Sequence, residues 1–178
     1  ELKSKDAVLI CTGAEKPRSL DNLKEAPSVY QAMEYLTHQT KSITLDNYTN
    51  PINAQGKRVI VIGGGDTGSD CIGTANRQGA ISVMNFEILP KPPKQRSATT
   101  PWPFWPLKLK TSSSHEEGCE RDWLIQTKEA ILDENQELKA IKTVQVEWHQ
   151  IDGKYKLKEV PDSEKTWPCD LVFLALGF

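Results

Sequence analysis

The chain lacks the residue patterns from which most metal and redox centres are built. Among its 178 residues the four cysteines, Cys11, Cys71, Cys119 and Cys169, are widely scattered and form no C-x-x-C pair. That spacing suits neither a zinc site nor an iron-sulfur cluster, so the thiols read as reduced packing groups of a cytoplasmic protein. No apolar run approaches about 20 residues, which excludes a membrane-spanning helix. Net charge is also small, -2: 22 Lys plus Arg stand against 24 Asp plus Glu. There is thus no global field to favour nucleic acid or an anionic membrane. The chain has no signal-peptide pattern and begins at Glu1 rather than Met, which suggests a piece cut from something longer. In that setting the sequon Asn47-Tyr48-Thr49 reads as chance.

What is present centres on Lys57-Arg58-Val59-Ile60-Val61-Ile62-Gly63-Gly64-Gly65-Asp66-Thr67-Gly68-Ser69-Asp70. An apolar, β-branched run of strand length breaks into glycines and then into a segment with helical periodicity. Gly63, Gly65 and Gly68 have the G-x-G-x-x-G spacing of a Rossmann phosphate-binding turn. Each glycine meets a separate demand: Gly63 the tight exit from the strand, Gly65 close approach of a pyrophosphate to bare backbone, Gly68 close packing of helix on strand. Gly64, Asp66 and Thr67 complete the turn, and the helix start offers unpaired N–H groups and the positive end of its dipole. The pattern predicts a helix from Thr67 to Gln78, with Cys71, Ile72 and Ala75 inward and Gly79 as its stop. A second strand follows over Ile81–Phe86. Glu87 stands at its end, nineteen residues after Gly68, where a dinucleotide fold places the acid that accepts from an adenosine ribose.

Two further apolar runs end in glycine. Asp6–Gly13 and Asp170–Gly177 each read as an acid, a short buried strand and a glycine; Gly177 then falls at the mouth of a doubly wound sheet, although two ordinary core strands would also account for the hydrophobicity. Between them, 14–56 reads as a connector with one helix from about Ser28 to His38, its stripe made of Val29, Ala32, Met33 and Leu36. The core, 57–169, carries a lid over 89–110 that is rich in proline and tryptophan. Prolines prevent regular structure there, and no acidic residue occurs from Pro90 to Ser114, so Lys91, Lys94, Arg96, Lys108 and Lys110 set up a local positive field. Three readings stay open for Trp102, Phe104 and Trp105: cover for the domain's own edge, contact with the adenosine end of a cofactor, or a docking face.

Ser114 is placed as the cap of a short helix, with Glu117 as its capping-box partner. His115 beside Glu116 and Glu117 has no second histidine at ligand spacing, which speaks against a metal or catalytic role. Lys128–Asp133 reads as a strand. Val144, Val146 and Trp148 then alternate with polar residues, Asp152-Gly153 makes a hairpin turn, and Tyr155 and Leu157 alternate with lysines. The whole of 1–178 is therefore expected to be a single Rossmann-like doubly wound α/β domain with an inserted antiparallel β-meander.

Taken together, Gly63 to Cys71, Phe86-Glu87-Ile88-Leu89-Pro90, Pro101-Trp102-Pro103-Phe104-Trp105-Pro106, Ser113 to Gly118 and Leu174 to Phe178 resemble the small (beta) subunit of glutamate synthase. They are equally similar to the matching region of single-chain NADH-dependent glutamate synthases, in the same order along nearly the whole chain. The resemblance implies an NAD(P)H-binding domain inserted into an FAD domain, with 1–13 and 170–178 as border strands. The FAD-binding glycine motif and the N-terminal iron-sulfur cysteines of the family are absent, so neither FAD nor clusters are expected in this piece. In the parent enzyme the family implies hydride transfer from NAD(P)H to FAD, then electron flow through clusters to the large subunit or domain. There 2-oxoglutarate and glutamine-derived ammonia become glutamate. No side chain here is assigned a catalytic role, because the hydride chemistry belongs to the cofactors.

Between the two nicotinamide cofactors, Glu87 favours NADH. Relatives that use NADPH resemble this chain but carry arginines just after that strand, and Lys91, Lys94 and Arg96 lie close enough in sequence to soften that preference. Two other functions compete: the same domain in another flavin-linked oxidoreductase, and a non-catalytic dinucleotide sensor or interaction module.

Overall fold

The computed structural model describes residues 5–178. After an extended lead, Val29–Gln31 forms strand β1 and runs directly into helix α1, Ala32–Thr44. Strand β2, Arg58–Ile62, is followed by helix α2, Asp66–Arg77, and strand β3, Ser82–Glu87. After the lid come a single helical turn α3, Ser113–Glu116, and strand β4, Glu120–Trp123. Strands β5 (Ile125–Leu132), β6 (Leu138–Ile151), β7 (Lys154–Glu159) and β8 (Lys165–Pro168) make the insertion, and β9, Leu171–Leu174, closes the described chain.

β1, β9, β2, β3 and β4 form one sheet in that order, parallel throughout. From β2 the chain steps outward through β3 to β4, while β9 lies on the other side of β2. The strand order therefore reverses between β2 and β9, and ligand crevices of doubly wound sheets open outside the carboxyl ends at such a point.

Period-two alternation sorts the side chains of β2 and β9 onto two cores. Val59, Val61, Leu171 and Phe173 pack with Ala32 and Tyr35 of α1 and with Cys71, Ile72 and Ala75 of α2. Tyr35 stacks on Phe173 with ring centroids 3.9 Å apart. Ile60, Ile62, Val172 and Leu174 face the other way and meet Ile125, Leu138 and Ile141 of the insertion. Phe86 and Trp167 seal that side with centroids 4.9 Å apart. The antiparallel meander thus covers the face that a crossover helix would otherwise cover. β6 is its spine, pairing with β5 along one edge and with β7 and β8 along the other. Asp152 and Gly153 both have positive φ, 53° and 74°, as the expected two-residue hairpin turn requires.

Three local expectations are corrected. The helix begins at Ala32, not Ser28, and runs on to Thr44, because Val29–Gln31 pairs with β9. β-branched and aromatic residues at an open sheet edge gain more from that pairing than from a helical turn. Met33, placed in the inward stripe, is exposed, and Tyr35 is buried instead. The strand expected over Asp6–Gly13 does not form over the described residues 6–13, and Leu9 is 88% exposed. β9 already has β1 and β2 on its two edges, so the run has no place beside it; residues 1–4 of the expected border strand lie outside the described residues. The short strands β4 and β8 were not expected, since Glu120-Arg121-Asp122-Trp123 and Lys165-Thr166-Trp167-Pro168 are too polar to signal burial.

Cys71 and Cys169 are buried and Cys119 half-buried, whereas Cys11 is exposed; all four are free thiols. Burial pushes the Cys71 and Cys169 thiols up to about 12, which keeps them protonated and inert.

Asp170 starts β9 by clamping Arg58: Oδ2 accepts from the Arg58 backbone N at 2.8 Å and Nε at 2.9 Å, and Oδ1 meets Nη2 at 2.5 Å. These hydrogen bonds hold the Asp170 carboxylate below its usual range. A depressed native pKa stabilises the fold above the unfolded value of about 4 and loses that contribution as pH falls through the native one. We expect D170N to unfold about 1 kcal/mol more easily at pH 7, the pair being partly solvent-screened. The gap to wild type should close below about pH 4, as read by urea melts at each pH.

Candidate functional site

The cleft at the strand reversal has a volume of about 750 Å³ and is floored by Ile62, Gly63, Gly64, Gly65, Ala175 and Gly177. Its geometry comes from the main chain. Gly63 N–H donates to the Phe86 carbonyl at 2.8 Å, and Ala175 N–H donates to the Ile62 carbonyl at 2.8 Å, so three strands end in register. Gly63 has φ +115°, and a Cβ there would overlap the Ala175 carbonyl. A Cβ on Gly68, in the first turn of α2, would overlap the Gly63 carbonyl. Gly68 thus lets the helix start touch the strand exit, and Gly63 lets the exit of β9 lie against that of β2.

Gly65 differs. It is the N-cap of α2, no side chain caps it, and a Cβ there would meet nothing within 4 Å. The bare backbone of Gly65 therefore faces open space beside the unpaired N–H groups of the first helical turn. That is the arrangement an anionic diphosphate requires. Thr67 also lines the cleft, Asp66 is exposed at the helix start, and Gly68 is buried behind them.

Glu87 reaches the cleft from the end of β3, with its carboxylate packed against Gly64 so closely that a Cβ on Gly64 would overlap it. Gly177, with φ +78°, lines the opposite wall, where its carbonyl accepts from Arg18 N–H at 2.9 Å. Lys94 and Arg96 are a correction: both are exposed on the lid and neither lines the cleft. Consecutive prolines carry that segment outward, so nearness in sequence to Glu87 does not become nearness in space.

Several side chains escaped the sequence reading. Asn85 is fully buried in β3 and its Nδ2 donates to the Gly63 carbonyl at 2.8 Å and the Val61 carbonyl at 3.1 Å, pinning the turn. Asn22 Nδ2 donates to the Thr127 carbonyl at 2.9 Å, tying the connector to β5 as the cleft's side wall. Arg121 of β4 pairs with Glu87, and its guanidinium lies 5.1 Å from the Trp123 ring centroid. The one trace of this in sequence is that Arg121 and Trp123, two apart on a strand, share a face.

The lid does not cover the domain's own edge: Trp102 is 82% exposed and Phe104 and Trp105 are exposed with it. Its base is fixed instead. Lys91 lies 4.5 Å from the Trp123 ring, Arg121 Nη1 donates to the Lys110 carbonyl at 2.9 Å, and Trp148 Nε1 donates to the Ile88 carbonyl at 3.0 Å. The Ser113 to Gly118 motif clamps the lid's far end to α2. Asn76 Nδ2 donates to the Gly118 carbonyl at 2.7 Å, Arg77 pairs with Glu117, and Ser114 packs over Gly73. The cap of α3 is Ser112 with His115 as its capping-box partner, not Ser114 with Glu117. His115 Nδ1 meets Ser112 Oγ at 2.9 Å, and burial followed by the nearby Arg121 charge holds its pKa below the usual value. Among the described residues no three His, Cys, Asp or Glu side chains gather as a metal site, and no helix is long and apolar enough to cross a membrane.

A parallel sheet with a glycine turn at its reversal and a meander on one face is a Rossmann-like α/β fold. Solved structures share it at low identity. FprA, a Mycobacterium tuberculosis oxidoreductase solved in complex with NADPH, superposes with a TM-score of 0.64 at 13% identity, over 94% of this chain and 49% of that one. Putidaredoxin reductase, solved in covalent complex with putidaredoxin, gives 0.52 at 16% identity over 91% of this chain and 32% of its own. No protein-family model matches the chain. Curated sequences do: the chain is homologous over its whole length to one segment of the glutamate synthases. It is 43% identical over 189 residues to the glutamate synthase [NADPH] small chain of Bacillus subtilis and 44% identical over 184 residues to the glutamate synthase [NADH] of Schizosaccharomyces pombe. It covers 100% and 97% of itself in those alignments but spans only 38% and 9% of the two relatives. The small chain of Mycobacterium tuberculosis is 42% identical over 179 residues.

The two kinds of glycine should separate on substitution. Gly68→Ala must displace backbone and is expected to cost more than about 2 kcal/mol. Gly65→Ala, at an ordinary negative φ with open space ahead, should cost less than about 1 kcal/mol, the price of a poorer N-cap. Paired thermal melts check both.

Proposed function

We propose that this chain is the nicotinamide-dinucleotide-binding domain of a glutamate synthase. The observation that carries the reading is the glycine turn at the sheet reversal, where Gly65 opens its backbone to the cleft and the first amides of α2 have no partners. Homology over the whole chain to glutamate synthases supplies the enzyme. The chain's residues fit such a ligand on their own geometry. Gly68 lets helix meet strand, Gly63 makes the tight strand exit, Gly64 makes room for the Glu87 carboxylate, Gly65 leaves room for the diphosphate, and Asp66 and Thr67 begin the helix behind it. Glu87 stands at the reach of the adenosine ribose and Gly177 at the nicotinamide side.

When bound, the reduced cofactor would supply a hydride; the chain's part is to bind and orient it, and no side chain here needs to move a proton. The recipient would be FAD on a domain of the same parent, with iron-sulfur clusters and the large subunit or domain beyond it. The overall activity would be glutamate formation from glutamine and 2-oxoglutarate. Four unpaired thiols accord with a cytoplasmic setting.

NADH is the favoured cofactor. A carboxylate at the ribose accepts from a free 2'-hydroxyl and opposes a 2'-phosphate, and Lys94 and Arg96 stand away from the cleft lining. The names of the relatives include both cofactors, so the preference rests on the carboxylate in the cleft and not on the relatives.

Fluorescence titration with NADH and NADPH tests the reading. NADH should bind more tightly, and Gly65→Val should weaken it about tenfold or more by filling the diphosphate position while leaving the melt near wild type. Binding of neither nucleotide would remove the domain assignment, and tighter NADPH would remove the role given to Glu87. Glutamine-dependent NAD(P)H oxidation by the full-length parent separates glutamate synthase from another flavin-linked enzyme.

A further inference from the structure

Glu87 does not stand alone at the ribose position. Its Oε1 accepts from Arg121 Nη2 at 3.0 Å, and the two side chains are only 16% and 13% exposed. Arg121 is itself held: Nη1 donates to the Lys110 carbonyl at 2.9 Å, and the guanidinium lies 5.1 Å from the Trp123 ring centroid. Its Nε is buried with no hydrogen-bond partner among the described residues. Lys91 is taken up over the Trp123 ring, 4.5 Å from its centroid. Arg121 is therefore the cation placed directly behind the carboxylate that meets the ribose.

Two consequences follow from elementary electrostatics. A guanidinium bonded to one carboxylate oxygen fixes the other in place, so Glu87 Oε2 is set to accept a hydroxyl. The same guanidinium also offsets the carboxylate charge, so the pair repels a dianionic 2'-phosphate much less than a lone glutamate would. We infer that Arg121 is a specificity-determining residue of this site. It positions Glu87 for the 2'-hydroxyl of NADH, and it is the group that would receive a 2'-phosphate once the Glu87 side chain is out of the way. The native preference for NADH is then shallow, and it is set by the pair rather than by Glu87. This inference rests on the reading of the cleft as a dinucleotide site, given above.

Calorimetric titration of the chain with ADP-ribose and with 2'-phospho-ADP-ribose reads the pair without any need for electron transfer. Three variants are compared with wild type: Glu87→Ser, Arg121→Met and the double substitution, each checked by thermal melting. Arg121→Met should raise the discrimination against the 2'-phosphate about tenfold, because the carboxylate is left uncompensated. Glu87→Ser should move the ratio about tenfold or more toward the 2'-phosphate, and the double variant should lose that gain. Arg121→Lys in the Glu87→Ser background should keep part of it, and Arg121→Gln serves if the methionine variant does not fold. The inference falls if Glu87→Ser gains equally with and without Arg121, or if Arg121→Met leaves the ratio unchanged. If wild type binds neither ligand, the dinucleotide reading itself falls; if it binds both but ignores Arg121, only the inference does.

Discussion

The contact between the carbonyl of Gly63 and the backbone of Gly68 governs the rest of the structure. It brings the first turn of α2 against the end of β2 at a separation that leaves no room for a Cβ on Gly68, while a Cβ on Gly63 would strike the Ala175 carbonyl at the exit of β9. Asn85 holds the same carbonyl from below, spending the one polar side chain of its fully buried strand position on it. Because helix and strand meet so closely, the next glycine out, Gly65, is thrust to the surface with its amides unpaired. The helix start thereby presents bare main chain and the positive end of its dipole to the cleft, with no side chain capping it.

The sheet reversal beside that contact turns the geometry into a cleft. β9 returns to lie next to β2 from the far end of the chain, and its own exit through Ala175 and Gly177 forms the opposite wall. What allows β9 to arrive there is the meander, which spans the second core and holds Ile60, Ile62 and Leu174 out of water. Replacing a crossover helix by antiparallel strands also brings β5 to the rim, so Asn22 of the connector is tied down beside the cleft. The two sheets are thus joined where they matter to the site.

The polar half of the site is built differently. Glu87, Arg121, Trp123 and Lys91 come from β3, β4 and the lid, and they form a chain of charge and aromatic faces running away from the glycine turn. The lid is anchored at both of its ends, at Trp123 and through α3 to α2, while its aromatic crown stands in solvent.

Much of this could be read from residues alone. The apolar run into Gly63, the glycine spacing, Glu87 at its distance and the Asp152-Gly153 turn are local patterns, and local sterics decide them: a strand exit, a close helix start and a tight hairpin each admit few residue types. Beyond local pattern the reading failed in a consistent way. Val29–Gln31 became a strand and Asp6–Gly13 did not, because strand formation depends on which edge of β9 is vacant, and only the folded sheet settles that. Lys94 and Arg96 looked close to Glu87 along the chain, whereas Arg121, thirty-four positions away, is the cation that touches it. The sequence by itself determined the glycine turn between β2 and α2 and the class of fold. The partners of its charged residues were decided by tertiary structure, since an ion pair depends on where two backbones bring their side chains and not on how many residues lie between them.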